Sequence, residues 1–181
     1  MKYQRHLETA HHAWEKYRNA AIFIDATCGN GHDTLILAKF EPNALYAIDI
    51  NPEAIKKTQE RLKEYSNIQY FCQSHAQFPE EIEPGTVDLI VYNLGYLPGG
   101  DKCDTTEAQS TLMSLYSAVN LIRKGGLISV TCYPGHPEGE REEKAILDWA
   151  KRLDKNNWNV VYTQWLNKEK SPTLLLFEKI P

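Results

Sequence analysis

The chain has 181 residues, 42% of them hydrophobic and 24% charged, with a formal net charge of −4. That length fits one domain able to bury a core without disulfides or a metal, and the composition excludes a disordered or fibrous chain. No apolar run approaches the roughly 18 residues that cross a bilayer, and the acidic balance excludes a general nucleic-acid coat while leaving room for an enzyme that touches nucleic acid through one local patch.

The polar start, MKYQRHLETAHHAW, has no apolar core or cleavage signature for secretion. It reads as a solvated first helix within residues 1–20, with His6, His11 and His12 lacking acidic or Cys partners at metal-ligand spacing. Cys28, Cys72, Cys103 and Cys132 form no CxxC pair, so reduced thiols in a cytoplasmic protein are expected, with no metal and no membrane partner.

From residue 22 onward, short β-rich runs (22–26, 44–49, 68–72, 87–92, 127–132) alternate with helical stretches (31–40, 52–65, 105–122, 138–154). The runs are almost wholly apolar, as parallel strands covered on both faces should be. Asn51-Pro52 reads as a cap followed by proline at the first helical position, and Lys124-Gly125-Gly126 reads as a helix stop. The last two runs, 159–166 and 173–179, are separated only by a turn and should pair as an antiparallel hairpin. The expected fold is α/β: a Rossmann-like, doubly wound, seven-stranded sheet, mostly parallel with an antiparallel C-terminal hairpin, forming one domain over 1–181. Such sheets bind ligands outside the carboxyl ends of their strands.

The first strand ends in Asp25-Ala26-Thr27-Cys28-Gly29-Asn30-Gly31-His32-Asp33-Thr34. Gly29, Asn30 and Gly31 permit unusual backbone angles. The third glycine of a dinucleotide-binding loop is absent. Asp25 would repel a phosphate and suits a cationic ligand part, such as the α-amino or sulfonium group of S-adenosylmethionine. Thr27 shares this loop. Asp49 ends the second strand about 20 residues on, where a carboxylate accepts from a ribose diol. Asn51 either caps the next helix or touches the adenosine. Ser74 and His75 fall where a nucleoside base would lie, or Ser74 caps a short helix at 75–79.

The fourth strand ends in Asn93-Leu94-Gly95-Tyr96-Leu97-Pro98-Gly99-Gly100-Asp101-Lys102. A polar Asn closing a buried strand must find partners or cost about 1–3 kcal/mol. Gly95 turns the chain, Tyr96 offers an aromatic wall, and Pro98-Gly99-Gly100 can hinge. The layout is similar to the Asn-Pro-Pro-Tyr loop of amino-methyltransferases, with Leu94 and Gly95 in place of both prolines. After the fifth strand, Tyr133-Pro134-Gly135-His136-Pro137-Glu138-Gly139 offers Tyr133, His136 and Glu138 as polar groups expected to face a substrate, His136 being the one whose ordinary pKa lies near neutrality.

These three segments together resemble the small class I methyltransferases once labelled putative rRNA methylases. Members of that family are associated with methylation of 5-(aminomethyl)-2-thiouridine at the tRNA wobble position. The resemblance spans about residues 20–179. Ala76, following Ser74-His75, stands where an acid is expected. The resemblance implies S-adenosyl-L-methionine as cofactor, contacted by Asp25, Thr27, Gly29, Asn30, Gly31, Asp49, Asn51, Ser74 and His75. It implies tRNA, through its anticodon loop, as partner. Asn93, Tyr96 and His136 would carry catalysis, with Leu94, Gly95, Lys102 and Tyr133 on the substrate. Lys102, Arg5, Arg18, Arg123 and Lys124 are candidate phosphate contacts, Lys102 alone lying near the site by sequence. An exposed first helix or hairpin edge could support a homodimer. Competing readings are an rRNA or small-molecule N-methyltransferase, a nucleotide-binding oxidoreductase and a non-catalytic binding module.

Overall fold

The computed structural model describes residues 5–95 and 107–181, with the side chain of Arg5 left aside. Five parallel strands, β1 (Ile22–Asp25), β2 (Ala44–Asp49), β3 (Ile68–Cys72), β4 (Val87–Asn93) and β5 (Ile122–Cys132), are joined by β6 (Trp158–Thr163) and β7 (Thr173–Lys179) in the order β3-β2-β1-β4-β5-β7-β6. β7 runs antiparallel to both β5 and β6, so the expected hairpin closes one edge with its second strand turned inward. Every residue of β4 before Asn93 is buried, whereas β6 at the edge alternates half-buried and exposed positions as a one-sided strand does.

Helices cover both faces. On one, α1 (Arg5–Trp14), α2 (His32–Ala38) and α3 (Pro52–Arg61) flank a core containing Ala10, Trp14, Phe23, Leu37, Leu45, Leu62 and Leu89. On the other, α4 (Ala108–Leu121) and α5 (Pro137–Ala150) close over Ile24, Ile90, Tyr92, Leu115, Ile146 and Trp149. Asn51 caps α3, its Oδ1 accepting from the Glu53 and Ala54 amides at 2.9 and 3.4 Å, with Pro52 at the first helical position.

Three expectations change. The first helix is not solvated: Ala10, Trp14 and Tyr17 are all buried, on a stripe with i, i+4, i+7 spacing. No helix forms at 75–79; Ser74 Oγ accepts from the Ala76 amide at 3.2 Å in a turn. Residues 73–86 instead cross irregularly and place Phe78 and Ile82 against the core, because Pro79, Pro84 and Gly85 interrupt any helical run. Gly125 and Gly126 do not stop a helix: α4 ends at Leu121 and β5 follows at once. The β4–β5 register jumps from Val87↔Ile122 to Leu89↔Leu127, and Gly125, at φ 72°, turns the excess chain.

Two of the candidate phosphate contacts serve the fold. Buried Asp88 accepts from the Ala21 and Ile22 amides at 2.8 and 2.9 Å, and the Arg123 guanidinium pairs with its other oxygen. Arg18 pairs with Glu15 at 2.8 Å and lies over the Phe40 ring. No helix among the described residues is long and apolar enough to cross a membrane.

Candidate active site

The strand order reverses between β1 and β4, and the residues singled out in sequence gather at the carboxyl ends there. Ala26 and Leu94 continue the ladder past the strands, their amides bonding Val91 and Thr131 carbonyls at 2.9 Å each. The ends of β1, β4 and β5 are thus held side by side.

The loop after β1 is tied to β2. Gly29 and Gly31 have φ of 51° and 76°. A Cβ on Gly31 would press on Thr58, whose hydroxyl donates to the Gly29 carbonyl at 2.8 Å. The Asp49 carboxylate accepts from Gly29 N at 2.8 Å through one oxygen and from Asn51 N at 2.9 Å through the other. Asp49 is therefore the brace between the glycine loop and the start of α3. Asn51 Oδ1 is engaged in the α3 cap.

Asp25 is buried, receiving Thr34 Oγ1 at 2.6 Å and Thr27 N at 3.3 Å. Burial first, and then the charge of Asp33, push its carboxyl up to about 7. Its ordinary value is 3.8, so the unfolded chain gives up this proton first as pH rises. Stability therefore falls between about pH 4 and pH 7 and levels off above, by roughly 2–4 kcal/mol over the window. Asp25→Asn should flatten that slope, as urea unfolding at pH 5 and pH 8 will show; a variant with the wild-type slope would mean that Asp25 ionises normally.

Asn93 lies at the centre. Its amide N–H donates to Thr27 Oγ1 at 2.7 Å and its side-chain Nδ2 to Asp33 Oδ2 at 2.9 Å. The other Asp33 oxygen is bonded by His11 Nε2 at 2.9 Å. Burial, and then the charge of Asp33, push the Tyr133 hydroxyl up to about 12. Gly95, at φ 132°, lets the chain pass the face of the Tyr133 ring, which a Cβ there would meet at 3.5 Å. His6 Nε2 lies 3.4 Å from the Tyr133 hydroxyl, and burial lowers its pKa against the opposing pull of Asp33.

His136 is placed differently from its sequence reading. It is the N-cap of α5, with Nδ1 accepting from Gly139 N at 3.1 Å. A Cβ on Gly139 would overlap the Tyr133 carbonyl oxygen, so the cap and its glycine fix Tyr133 more than they serve a substrate. Tyr96 and Lys102 lie outside the described residues. Sequence reasoning passed over Asp33, His6 and His11 as site residues. Their signal was present in the apolar stripe of the first helix, Ala10, Ala13, Trp14 and Tyr17.

Two polar atoms beside the carboxyl ends are buried with no hydrogen-bond partner among the described residues: Asn30 Oδ1 in the glycine loop and His75 Nδ1 after β3. Burial lowers the His75 pKa to about 4, so its ring is neutral. Unpaired buried polar atoms are costly, so these two are fitted to receive partners from a bound ligand. Asp49, Asp25 and Asp33 gather three carboxyl groups at the same strand ends. The fold and this site define a class I S-adenosylmethionine-dependent methyltransferase.

Residues 45–179 match the family described as putative rRNA methylase, and the chain belongs to that family. It is 35% identical over 187 residues to the chloroplastic tRNA (mnm(5)s(2)U34)-methyltransferase of Arabidopsis thaliana, covering 95% of this chain and 68% of that protein. The crystal structure of a putative rRNA-methylase from Clostridium thermocellum superposes with a TM-score of 0.93 at 29% identity, covering 99% of this chain and 100% of that one. A putative methyltransferase from Streptococcus mutans, in complex with SAH, gives 0.89 at 30% identity over 98% and 99% of the two chains.

Proposed function

We propose that this methyltransferase acts on tRNA and N-methylates the 5-aminomethyl group of a wobble (2-thio)uridine presented in the anticodon loop. The observation that supports it most is the setting of Asn93: a side-chain amide at the end of a buried strand, its nitrogen held by Asp33. That leaves the amide oxygen as an acceptor for substrate N–H. An amine can donate such a bond and still direct a lone pair at carbon. The identity with a tRNA wobble-uridine methyltransferase over nearly the whole chain points the same way.

S-adenosylmethionine supplies the methyl group on an electrophilic sulfonium. The chain's own part is to prepare the nucleophile. A primary alkyl amine has a pKa near roughly 10, by analogy with lysine, and reacts only when neutral. Burial beneath the loops disfavours the ammonium. Asn93 Oδ1 and the Leu94 carbonyl accept from the amine and orient it, an alignment that can supply much of the rate. Tyr133 packs beside Gly95. Tyr96 flanks the uracil, and Lys102 meets a backbone phosphate. Asp49, Asn30, Ser74 and His75 hold the nucleoside of the cofactor, and the backbone of Gly29 and Gly31 shapes its loop. A wobble base is already splayed in its loop, so no machinery for opening a duplex is required.

The deciding experiment gives purified protein and S-adenosylmethionine a choice of tRNA or ribosomal RNA from a strain lacking the gene. Nucleosides are then analysed by mass spectrometry. One added CH2 on 5-aminomethyl(-2-thio)uridine from tRNA is the expected result. Methyl transfer to ribosomal RNA alone would overturn the substrate assignment.

A further inference from the structure

The site is covered by an element that its catalytic reading does not use. Helix α1 is anchored in the core by Ala10 and Trp14, and the His11 ring packs on Trp14 with centroids 4.8 Å apart. From this anchored face two histidines reach the strand ends. His11 bonds Asp33 and Asp33 bonds Asn93, while His6 meets Tyr133 on the neighbouring strand end. Two ties thus join α1 to the strand ends, and one of them runs through Asp33 to Asn93.

An Asn side chain has two ends of nearly equal shape, one a donor and one an acceptor. A carboxylate only accepts. Asp33 beside Asn93 therefore decides which end of the amide faces it: Nδ2 must, at 2.9 Å. Asp33 in turn sits in the first turn of α2, where an anion is favoured by the helix dipole. Its rotamer is set from the far side by His11, whose Nε2 must carry the hydrogen to bond a carboxylate. Residues 11, 33 and 93 are far apart in sequence, so the arrangement exists only when α1 is docked.

We propose that His11, acting through Asp33, is a positioning residue for methyl transfer, locking the Asn93 amide with its nitrogen toward Asp33 and its oxygen toward the substrate nitrogen. The inference rests on the reading of Asn93 as the acceptor of substrate N–H. His11 touches neither substrate nor cofactor in this scheme. It removes the flipped amide, whose donor end would compete with the amine for the wrong partner.

The test compares His11→Ala with His11→Gln, since the Gln amide nitrogen occupies about the place of Nε2 and can donate to Asp33. His11→Ala should lower kcat about 10- to 100-fold, with KM for tRNA and Kd for the cofactor within about twofold of wild type. His11→Gln should recover most of kcat. His11→Ala added to Asp33→Ala should lower kcat no further than Asp33→Ala alone, because both act through one contact. In the cofactor-free protein, the Asn93 side-chain amide resonances should shift in His11→Ala and return in His11→Gln. Thermal unfolding separates a merely structural role, which lowers Tm and leaves kcat of the folded fraction intact. A folded His11→Ala variant within about threefold of wild-type kcat, or unmoved Asn93 resonances, overturns the proposal. Should Asn93→Ala itself retain turnover, the acceptor reading fails instead, and the amide resonances still report whether His11 orients Asn93.

Discussion

Asn93→Ala should lower single-turnover methyl transfer by at least about 100-fold while leaving cofactor affinity within about twofold. The side chain stands at the end of a strand whose preceding residues are all buried. Its backbone amide is already satisfied by Thr27, so truncation removes the acceptor without unravelling the strand end. What disappears is an oriented acceptor at the reacting nitrogen, and a misplacement of about 1 Å there is worth about 100-fold. Asn93→Asp should fail for a different reason: it sets a second carboxylate against Asp33, where Nδ2 now sits at 2.9 Å and like charges repel. Single-turnover assays with labelled cofactor, paired with calorimetry, separate the chemical step from binding. Turnover of Asn93→Ala within about threefold of wild type would remove Asn93 from the reaction.

Much of this site was legible because strand ends are legible. Apolar runs closing in Asp25, Asp49 and Asn93, each followed by a glycine or a helix cap, mark where a doubly wound sheet exposes its chemistry. The Asn51 cap and the terminal hairpin could be read because each is local. What stayed hidden depends on partners distant in sequence. Asp33 looked like a loop residue filling a missing glycine position, yet it joins His11, 22 residues before it, to Asn93, 60 residues after it. The three histidines of the first helix suggested solvation because they are polar. The smaller Ala10 and the single Trp14 between them carried the burial. His136 carries a local role that its sequence reading did not include. Its type and loop suggested proton transfer, but a histidine just before Pro137 is also placed to cap α5. Arg18 and Arg123 were candidate phosphate contacts by charge, and the fold gives them Glu15 and Asp88 instead.

Asp49→Ala should weaken cofactor binding about 100-fold, and Asp49→Asn about 10-fold. The carboxylate joins two jobs. It braces the glycine loop by accepting from Gly29 N and the start of α3 by accepting from Asn51 N, assisted by the Cys28 amide bonding the Ile48 carbonyl at 2.9 Å. Its place at the end of β2, beside the glycine loop, is where such sheets meet a ribose diol. Hydrogen bonds to a charged acceptor are worth about 1.5–3 kcal/mol each, and every 1.4 kcal/mol is about tenfold in Kd. Loss of a diol contact together with loosening of the loop thus reaches two decades. Asn keeps one oxygen but turns an NH2 toward either Gly29 N or Asn51 N, a donor facing a donor, so it is not a conservative change here. Because the ribose is common to both molecules, S-adenosylhomocysteine should lose affinity as much as S-adenosylmethionine does. A loss confined to the sulfonium form would mean that Asp49 acts through charge on the methyl-bearing end, and unchanged affinity for both would take it off the ribose altogether.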